Sequence, residues 1–154
     1  MYIVYSNKIY RFLISAMELL TYKLEKIDNS FENDDGIYYK KIEYSDINIQ
    51  DIYDVDFYIE WDSKMPKVQK KWKVTSLYDD KVKLFHEGHL PGWTIEEKLI
   101  CSLVLDMEEI ERYSIKYMYI IKDGKKLEEP FVIENEVNKE EFKEIFEQYI
   151  NKNI

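Results

Sequence analysis

Cysteine is nearly absent from this 154-residue chain, which carries Cys101 alone. A single thiol cannot form an internal disulfide, and this one lies beside Leu103 in an apolar stretch, which is typical of a buried small side chain and not of a nucleophile. Long apolar runs are lacking too. The run from Phe12 to Leu20 is interrupted by Glu18, is too short to span a bilayer and precedes no cleavage site for a signal peptide. These features predict a cytoplasmic protein without a membrane segment.

Glycine is also scarce, with four residues in the whole chain. Each falls in a segment predicted to be a loop or turn, so none is left for the glycine-rich cradle that binds nucleotide phosphates. Gly36, for example, ends a polar loop predicted over 28–36, which closes with Asn-Asp-Asp-Gly. Gly-x-Ser-x-Gly and Cys-x-x-Cys motifs are missing as well. We therefore expect no cofactor, no metal ion and no catalytic residues, and hence a protein that is not an enzyme.

The two histidines form the one motif that suggests chemistry, His86-Glu87-Gly88-His89. A zinc-protease helix needs two histidines four residues apart, whereas these are three apart, and Gly88 and Pro91 break any helix. A small metal-dependent enzyme that uses this loop is a lesser alternative function. The simpler interpretation places His86 at the edge of the core and His89 in a solvent-facing turn.

Negative charge is what the chain has in excess, and it is concentrated in one stretch. The window from Asp28 to Asp62 holds eleven acidic and two basic residues, a net charge of −9 that equals the formal charge of the whole chain. Such a charge disfavours direct binding to nucleic acid or to an anionic membrane and favours a basic protein as the partner. Eight of the 24 aromatic residues fall in the same window, and aromatic side chains supply contact area at protein interfaces.

The spacing of apolar residues predicts three helices. Apolar positions three and four apart from Ile9 to Ile27, with Ser6 as the N-cap, predict an N-terminal helix. Thr94 and Glu97 form a capping box, which predicts a central helix over 94–112 that packs on the sheet. Its apolar face would consist of Leu99, Ile100, Leu103, Val104, Met107 and Ile110. A C-terminal helix, capped by Asn138 with Glu141, is predicted over 138–152.

Strands are predicted between these helices. Val55–Trp61 alternates apolar and polar residues, and hairpins over 72–86 and 115–133 would turn at Asp79-Asp80 and Asp123-Gly124. Pro130 places the last strand at a sheet edge or a bulge. The sequence thus predicts an α+β fold, in which an antiparallel sheet of about five to six strands packs against three helices. One domain is expected over 1–154.

The expected binding surface is an acidic stripe on the outward face of the strand 55–61. Its members alternate along the strand, so that their side chains point to one side: Asp54, Asp56, Tyr58, Glu60 and Asp62. Four further tyrosines of the same window are expected to take part in binding: Tyr38, Tyr39, Tyr44 and Tyr53. The carboxylates would steer a basic partner, and the tyrosines would anchor it.

The leading functional hypothesis is a non-enzymatic cytoplasmic inhibitor, most concretely a bacterial immunity protein that neutralises a basic, nuclease-like toxin encoded nearby. Residue usage agrees with a bacterial origin, since one alanine and two arginines against abundant isoleucine, lysine, asparagine and tyrosine indicate an AT-rich genome. The alternative is an acidic interaction module, including a phage-borne inhibitor that imitates the charge of nucleic acid. In either case we expect a monomer or a weak dimer.

Overall fold

A computed structural model of the chain describes residues 1–151, with side chains through Ile150. The chain is 55% β-strand, and the described residues contain one α-helix, near the C-terminus. It divides into two compact units. Unit 1 comprises Met1–Val55, Tyr117–Ile133 and the residues from Glu147 onward, and unit 2 comprises Asp56–Lys116 and Glu134–Phe146. The expectation of one domain over 1–154 stays a prediction.

Most elements are short strands joined by tight connections. In chain order the strands are β1 (Tyr2–Tyr5), β2 (Lys8–Leu13), β3 (Glu18–Thr21), β4 (Glu32–Asp34), β5 (Ile37–Lys41), β6 (Ile49–Glu60), β7 (Lys71–Lys73), β8 (Ser76–Tyr78), β9 (Lys81–Glu87), β10 (Thr94–Glu97), β11 (Ile100–Asp106), β12 (Arg112–Lys122) and β13 (Lys125–Val137). Helix α1 (Lys139–Phe146) continues into a π-helical turn (Glu147–Asn151), and 3₁₀ helices occupy Leu24–Lys26 and Met107–Glu109. No helix within residues 1–151 has the length and apolar character that crossing a membrane requires.

Unit 1 is built on an antiparallel sheet. Its strand order is β13-β12-β6-β1-β2-β3-β5-β4, with β6, β12 and β13 contributing the residues that belong to this unit. The core takes apolar side chains from alternate strand positions, as expected when one face of each strand is buried. These residues are Ile3, Tyr5, Tyr10, Phe12, Leu19, Ile42, Ile49, Ile52 and Ile121.

Unit 2 contains a four-stranded antiparallel sheet of order β10-β11-β9-β8, and β7 pairs with β6. Helix α1 packs in this unit, with the rings of Phe142 and Phe146 centred 5.6 Å and 4.9 Å from that of Phe57. All three residues are 2% exposed or less. Burying three aromatic side chains is worth several kcal/mol by area, so this contact is a main source of stability in the unit.

The three tryptophans of the chain lie together in unit 2. The rings of Trp72 and Trp93 are centred 5.4 Å apart, and that of Trp61 lies 6.4 Å from each. His86 borders this tryptophan cluster, 6.1 Å from Trp72 and 6.3 Å from Trp93. The indole N–H of Trp72 donates to the backbone oxygen of Trp61 at 3.1 Å, which satisfies the one polar group that its burial would otherwise leave unpaired.

The N-terminal helix predicted from Ile9 to Ile27 is wrong. The stretch forms β2, β3 and a 3₁₀ turn, and the predicted N-cap Ser6 instead makes the β1–β2 turn with Asn7, at φ of +48° and +63°. Phe12 is 4% exposed whereas its neighbour Leu13 is 45% exposed, so the buried face repeats every two residues. The helical spacing arose because apolar residues from both faces of two strands happen to fall three and four apart.

The central helix predicted over 94–112 is also wrong. Strands β10 and β11 and a 3₁₀ helix occupy this region, and Thr94 and Glu97 lie on the exposed strand β10. Leu105 is 4% exposed, whereas Leu99, assigned to the buried helix face, is 64% exposed in the β10–β11 turn. A short apolar run fits a buried strand as well as a helix, and the pairing of β11 with β9 along its whole length makes it a strand.

The C-terminal helix is confirmed over Lys139–Phe146. It begins at the predicted cap, since the side-chain oxygen of Asn138 accepts the N–H of Glu141 at 2.9 Å. The helix continues as a π-helical turn to Asn151, and its predicted last residue, Lys152, lies outside the described residues. The described residues contain one α-helix instead of the three predicted. The predicted α+β architecture is therefore wrong, and the fold is mostly antiparallel β-sheet.

Both predicted hairpin turns are confirmed. Tyr78 pairs with Lys81 across Asp79-Asp80, although the strand predicted from residue 72 is broken into β7 and β8. The β12–β13 hairpin turns at Asp123-Gly124, and all four turn residues have positive φ, as two-residue hairpin turns require. Pro130 lies on β13, which ends its sheet, because a residue without an N–H group is tolerated at an edge.

Candidate functional site

The acidic stripe is already paired with cations within each unit. In unit 1, the carboxylate of Asp54 lies 3.4 Å from the N-terminal ammonium group of Met1. In unit 2, Asp56 Oδ1 lies 2.6 Å from the Nζ of Lys73, a residue of the neighbouring strand β7. Because each carboxylate has a cation of this chain beside it, much of its field is cancelled locally.

The remaining members of the acidic stripe follow the same pattern in unit 2. Glu60 lies 3.7 Å from Arg112, and Asp62 lies 3.3 Å from both Lys64 and Lys70. Their partners come from outside the acidic window. The acidic stripe is therefore much less negative in the fold than its sequence suggests.

Tyr58 at the centre of the acidic stripe is covered by a cation as well. The Nζ of Lys71 lies 4.8 Å from the centroid of the Tyr58 ring, a cation–π distance, and the same ammonium group is paired with Glu134. Lys71 therefore already covers a face of the Tyr58 ring that a cation of the partner would contact.

The fold spreads the net charge over both units. Unit 1 carries fourteen acidic and ten basic residues, a net charge of −4, and unit 2 carries seventeen acidic and twelve basic residues, a net charge of −5. A binding surface therefore has to be located from unpaired carboxylates and not from sequence density.

The four further tyrosines predicted to bind a partner lie in different surroundings. Tyr53 is 4% exposed, so its side chain offers no surface to a partner. Tyr44 is 47% exposed and has the Nζ of Lys126 5.7 Å from its ring centroid. Tyr38 and Tyr39 are neighbours on β5 and so point to opposite faces of the sheet.

Tyr53 belongs to a tyrosine cluster in unit 1 that also contains Tyr2, Tyr117, Tyr119 and Tyr149. Its hydroxyl lies 2.7 Å from the hydroxyl of Tyr149, and the hydroxyl of Tyr2 donates to the backbone oxygen of Tyr149 at 3.0 Å. Burial raises the pKa of Tyr53, and the adjacent phenols of Tyr149, Tyr119 and Tyr117 raise it further. The hydroxyls of Tyr2, Tyr53 and Tyr149 are hydrogen-bonded within the unit and stay protonated, which makes the tyrosine cluster a structural element.

Tyr39 lies in a groove of about 420 Å³ on one face of the β3–β5–β4 sheet in unit 1. The groove is formed by Glu18, Leu20, Glu32, Asp34, Ile37, Tyr39 and Lys41. These side chains share a face because the strands are in register: Leu20 and Glu32 both pair with Tyr39, Glu18 pairs with Lys41, and Asp34 pairs with Ile37. We call it the carboxylate groove.

Three carboxylates and one ammonium group surround the apolar floor of the carboxylate groove. Lys41 lies 3.9 Å from Glu18, while Glu32 accepts a hydrogen bond of 2.8 Å from the Tyr39 hydroxyl. Asp34 is exposed and lies in no ion pair with the residues that the structure describes. The hydrogen bond to Glu32 raises the pKa of Tyr39, and the nearby carboxylates of Glu32, Asp34 and Glu18 add to the effect, which indicates a negative local field.

The turn between β4 and β5 positions two of the three carboxylates. Asp35 and Gly36 have φ of +49° and +84°, and the side chain of Asn33 accepts the N–H of Gly36 at 3.3 Å. Sequence reasoning missed β4, because Glu-Asn-Asp has no apolar alternation and low strand propensity. The Asn-Asp-Asp-Gly turn was the only local signal of a hairpin here.

A second surface, in unit 2, is apolar. Phe85 and Leu99 are 43% and 64% exposed and line a depression of about 520 Å³ together with His86, Glu87, Glu97, Lys98 and Ile100. His89 is exposed, whereas the Nδ1 atom of His86 is buried. Within residues 1–150, no three His, Cys, Asp or Glu side chains are grouped so that they could hold a metal ion.

No protein-family model matches this chain, and no curated protein and no solved structure is found to be similar to it. The geometry of the molecule is therefore the basis for assigning a function.

Proposed function

We propose that the chain is a non-enzymatic protein inhibitor of the immunity-protein kind, and that its carboxylate groove binds a lysine or arginine side chain of a basic, nuclease-like toxin. The observation that carries the proposal is the groove itself, in which Glu18, Glu32 and Asp34 surround an apolar floor in the presence of one cation, Lys41. The proposal moves the binding surface from the acidic stripe to this face.

The chemistry of the groove fits a long basic side chain. Lysine and arginine have apolar stems and cationic heads, and the groove offers Leu20 and Ile37 to a stem and carboxylates to a head. Tyr39 is half-buried between them, and an ordered tyrosine ring is a low-entropy contact for a guanidinium or aliphatic group.

Electrostatics favours the groove over the acidic stripe. Asp56, Glu60 and Asp62 each lie within 4 Å of a cation of unit 2, so a partner would have to displace that cation. Glu32 and Asp34 are exposed and lie within ion-pair distance of no cation that the structure describes. Unpaired carboxylates steer a basic partner and accelerate its association.

The test uses the tagged full-length chain to capture the products of the genes beside its own, at low and at high salt. We expect one basic protein at a stoichiometric ratio, and we expect added salt to slow association. Co-expression must then protect cells from that protein. A partner that binds tightly but is harmless would support the acidic interaction module, and capture of no partner would overturn both readings.

A variant with two reversed charges tests whether the carboxylate groove is the binding surface. E32K/D34K should weaken affinity by tenfold or more, roughly 1.4 kcal/mol, because the cation of the partner would then meet two ammonium groups. The control E111K/E144K makes the same charge change at exposed carboxylates outside the groove, neither of which is ion-paired to a described residue, and should bind like the unmodified chain. Equal loss in both variants would mean that only net charge matters and would reject the groove.

A further inference from the structure

The outer strand of unit 1, β13, is open over a long stretch. It ends its sheet, and seven of the nine residues from Lys125 to Ile133 are exposed. Unpaired N–H and C=O groups at an edge recruit another strand, and proteins limit this with short edge strands, covering elements, lysines or proline. The segment carries Lys125, Lys126 and Pro130 but is long enough to pair with one specific partner strand.

The charges on this segment are symmetric about Leu127. Lys125 and Lys126 precede it and Glu128 and Glu129 follow it, and all four are exposed. None of them forms an ion pair with any residue that the structure describes, although Lys126 lies 5.7 Å from the ring centroid of Tyr44. The four charges are thus available to an external group.

Antiparallel pairing of this segment with itself satisfies every one of these charges. With a two-fold axis at Leu127, Lys125 lies opposite Glu129 of the second copy and Lys126 lies opposite its Glu128, and the reverse contacts follow by symmetry. Opposite charges directly across an antiparallel pair are stabilising. Parallel in-register pairing would instead place lysine against lysine and glutamate against glutamate.

We propose that two copies of this chain associate through β13 in an antiparallel pair centred on Leu127. The pair joins two edge strands by backbone hydrogen bonds, and the Lys-Lys-Leu-Glu-Glu sequence sets its direction and register. Pro130 has no N–H group to donate, which limits the pairing on that side. This interface is independent of the carboxylate groove, which uses β3, β4 and β5.

The test measures the molar mass of the full chain in solution by light scattering and sedimentation. The unmodified chain should be dimeric at about 100 μM, because we expect a dissociation constant of roughly 10 μM for this strand pair, at which most of the chain is dimeric. K125E/K126E and E128K/E129K should each be monomeric, because each makes all four cross-strand pairs like-charged. An unmodified chain that stays monomeric at this concentration would overturn the proposal.

Two matched controls separate strand pairing from general repulsion. Repulsion between whole molecules would make the E128K/E129K variant, of net charge −5, more dimeric than the parent at −9, whereas the proposal predicts loss of the dimer. Mixing the two double variants should restore a heterodimer, and the combined swap K125E/K126E/E128K/E129K should restore the homodimer at the original net charge. If neither restores association while circular dichroism shows all variants folded, the register is wrong and the proposal falls.

Discussion

The hydroxyl oxygens of Tyr53 and Tyr149 lie 2.7 Å apart, although the residues are separated by 96 positions in the sequence. Both side chains are buried, at 4% and 6% exposure, so each phenol depends on the other for its hydrogen bond. The contact ties the segment after α1 to the sheet of unit 1. It explains why a tyrosine from the acidic window does not reach the surface.

Replacing Tyr53 by phenylalanine should lower the free energy of unfolding by about 1–3 kcal/mol, because the hydroxyl of Tyr149 loses its partner in a buried site. Urea denaturation measures the change. Tyr44→Phe is the matched control, since Tyr44 is 47% exposed, and its effect should stay within about 0.5 kcal/mol. Equal stability of the Tyr53 variant and the parent would mean that ring packing alone holds the tyrosine cluster.

Stability should fall at alkaline pH. Burial raises the pKa of Tyr2, Tyr53, Tyr119 and Tyr149 in the folded chain, whereas an unfolded tyrosine ionises near pH 10. Above about pH 10 the unfolded state therefore binds fewer protons than the folded state, and the free energy of unfolding decreases as pH rises further. Below that pH the contribution is fully present.

Tyrosinate absorbance and urea denaturation across this pH range check the alkaline prediction. Some of the fourteen tyrosines should ionise only as the chain unfolds, and Tyr53→Phe should reduce the pH dependence. Ionisation of every tyrosine near pH 10 in the folded chain would contradict it.

Reversing Asp56 should destabilise unit 2. Asp56→Lys places an ammonium group beside Lys73, whose Nζ lies 2.6 Å from the carboxylate in the parent, and like charges on paired strands are unfavourable. We expect a loss of up to about 1 kcal/mol in the free energy of unfolding, the usual scale for a partly exposed ion pair. Adding Lys73→Asp should recover part of it, and no recovery would mean that the two side chains are not coupled.

Leu105 and Leu99 distinguish the observed strands from the predicted helix. Leu105→Ala should cost about 2–5 kcal/mol, because it opens a cavity at a site that is 4% exposed. Leu99→Ala should change stability by about 0.5 kcal/mol or less, since that side chain is 64% exposed. Thermal or urea unfolding of both variants provides the comparison, and a larger loss at Leu99 would favour a helix.

Local signals predicted the parts of the fold that depend on local geometry. Val55–Trp61 alternates over a full strand length, and it lies within β6 apart from its last residue. Asp79-Asp80 and Asp123-Gly124 tolerate the positive φ that two-residue turns need. The cap at Asn138 is likewise a matter of neighbouring residues. Each of these features is encoded within a few positions.

Features that depend on pairing between distant strands could not be predicted from local sequence. The apolar residues of β2 and β3 recur with a helical period, and the sequence alone does not show which face of each strand packs against a neighbouring element. Glu18 of the carboxylate groove falls inside the predicted N-terminal helix, and Glu32 and Asp34 fall inside a predicted loop. Only the register of β3, β5 and β4 brings the three carboxylates around Tyr39.

The acidic stripe shows the same limit for electrostatics. Asp54, Asp56, Tyr58 and Glu60 occupy alternate, partly exposed positions of β6 as predicted, whereas Asp62 follows the strand. Arg112 pairs with Glu60 across 52 positions of sequence. A charge count along the chain cannot include such a partner.

The separation of the aromatic residues gives the two units separate optical signals. Tryptophan emission comes from the cluster of Trp61, Trp72 and Trp93 and so reports on unit 2. Most tyrosines whose pKa is raised by burial lie around Tyr53 in unit 1, with Tyr113 of unit 2 as an exception, so delayed tyrosine ionisation reports mainly on unit 1. One unlabelled sample therefore yields two unfolding curves. Coincident curves would make the chain a single cooperative folding unit, and displaced curves would measure the stability of each unit on its own.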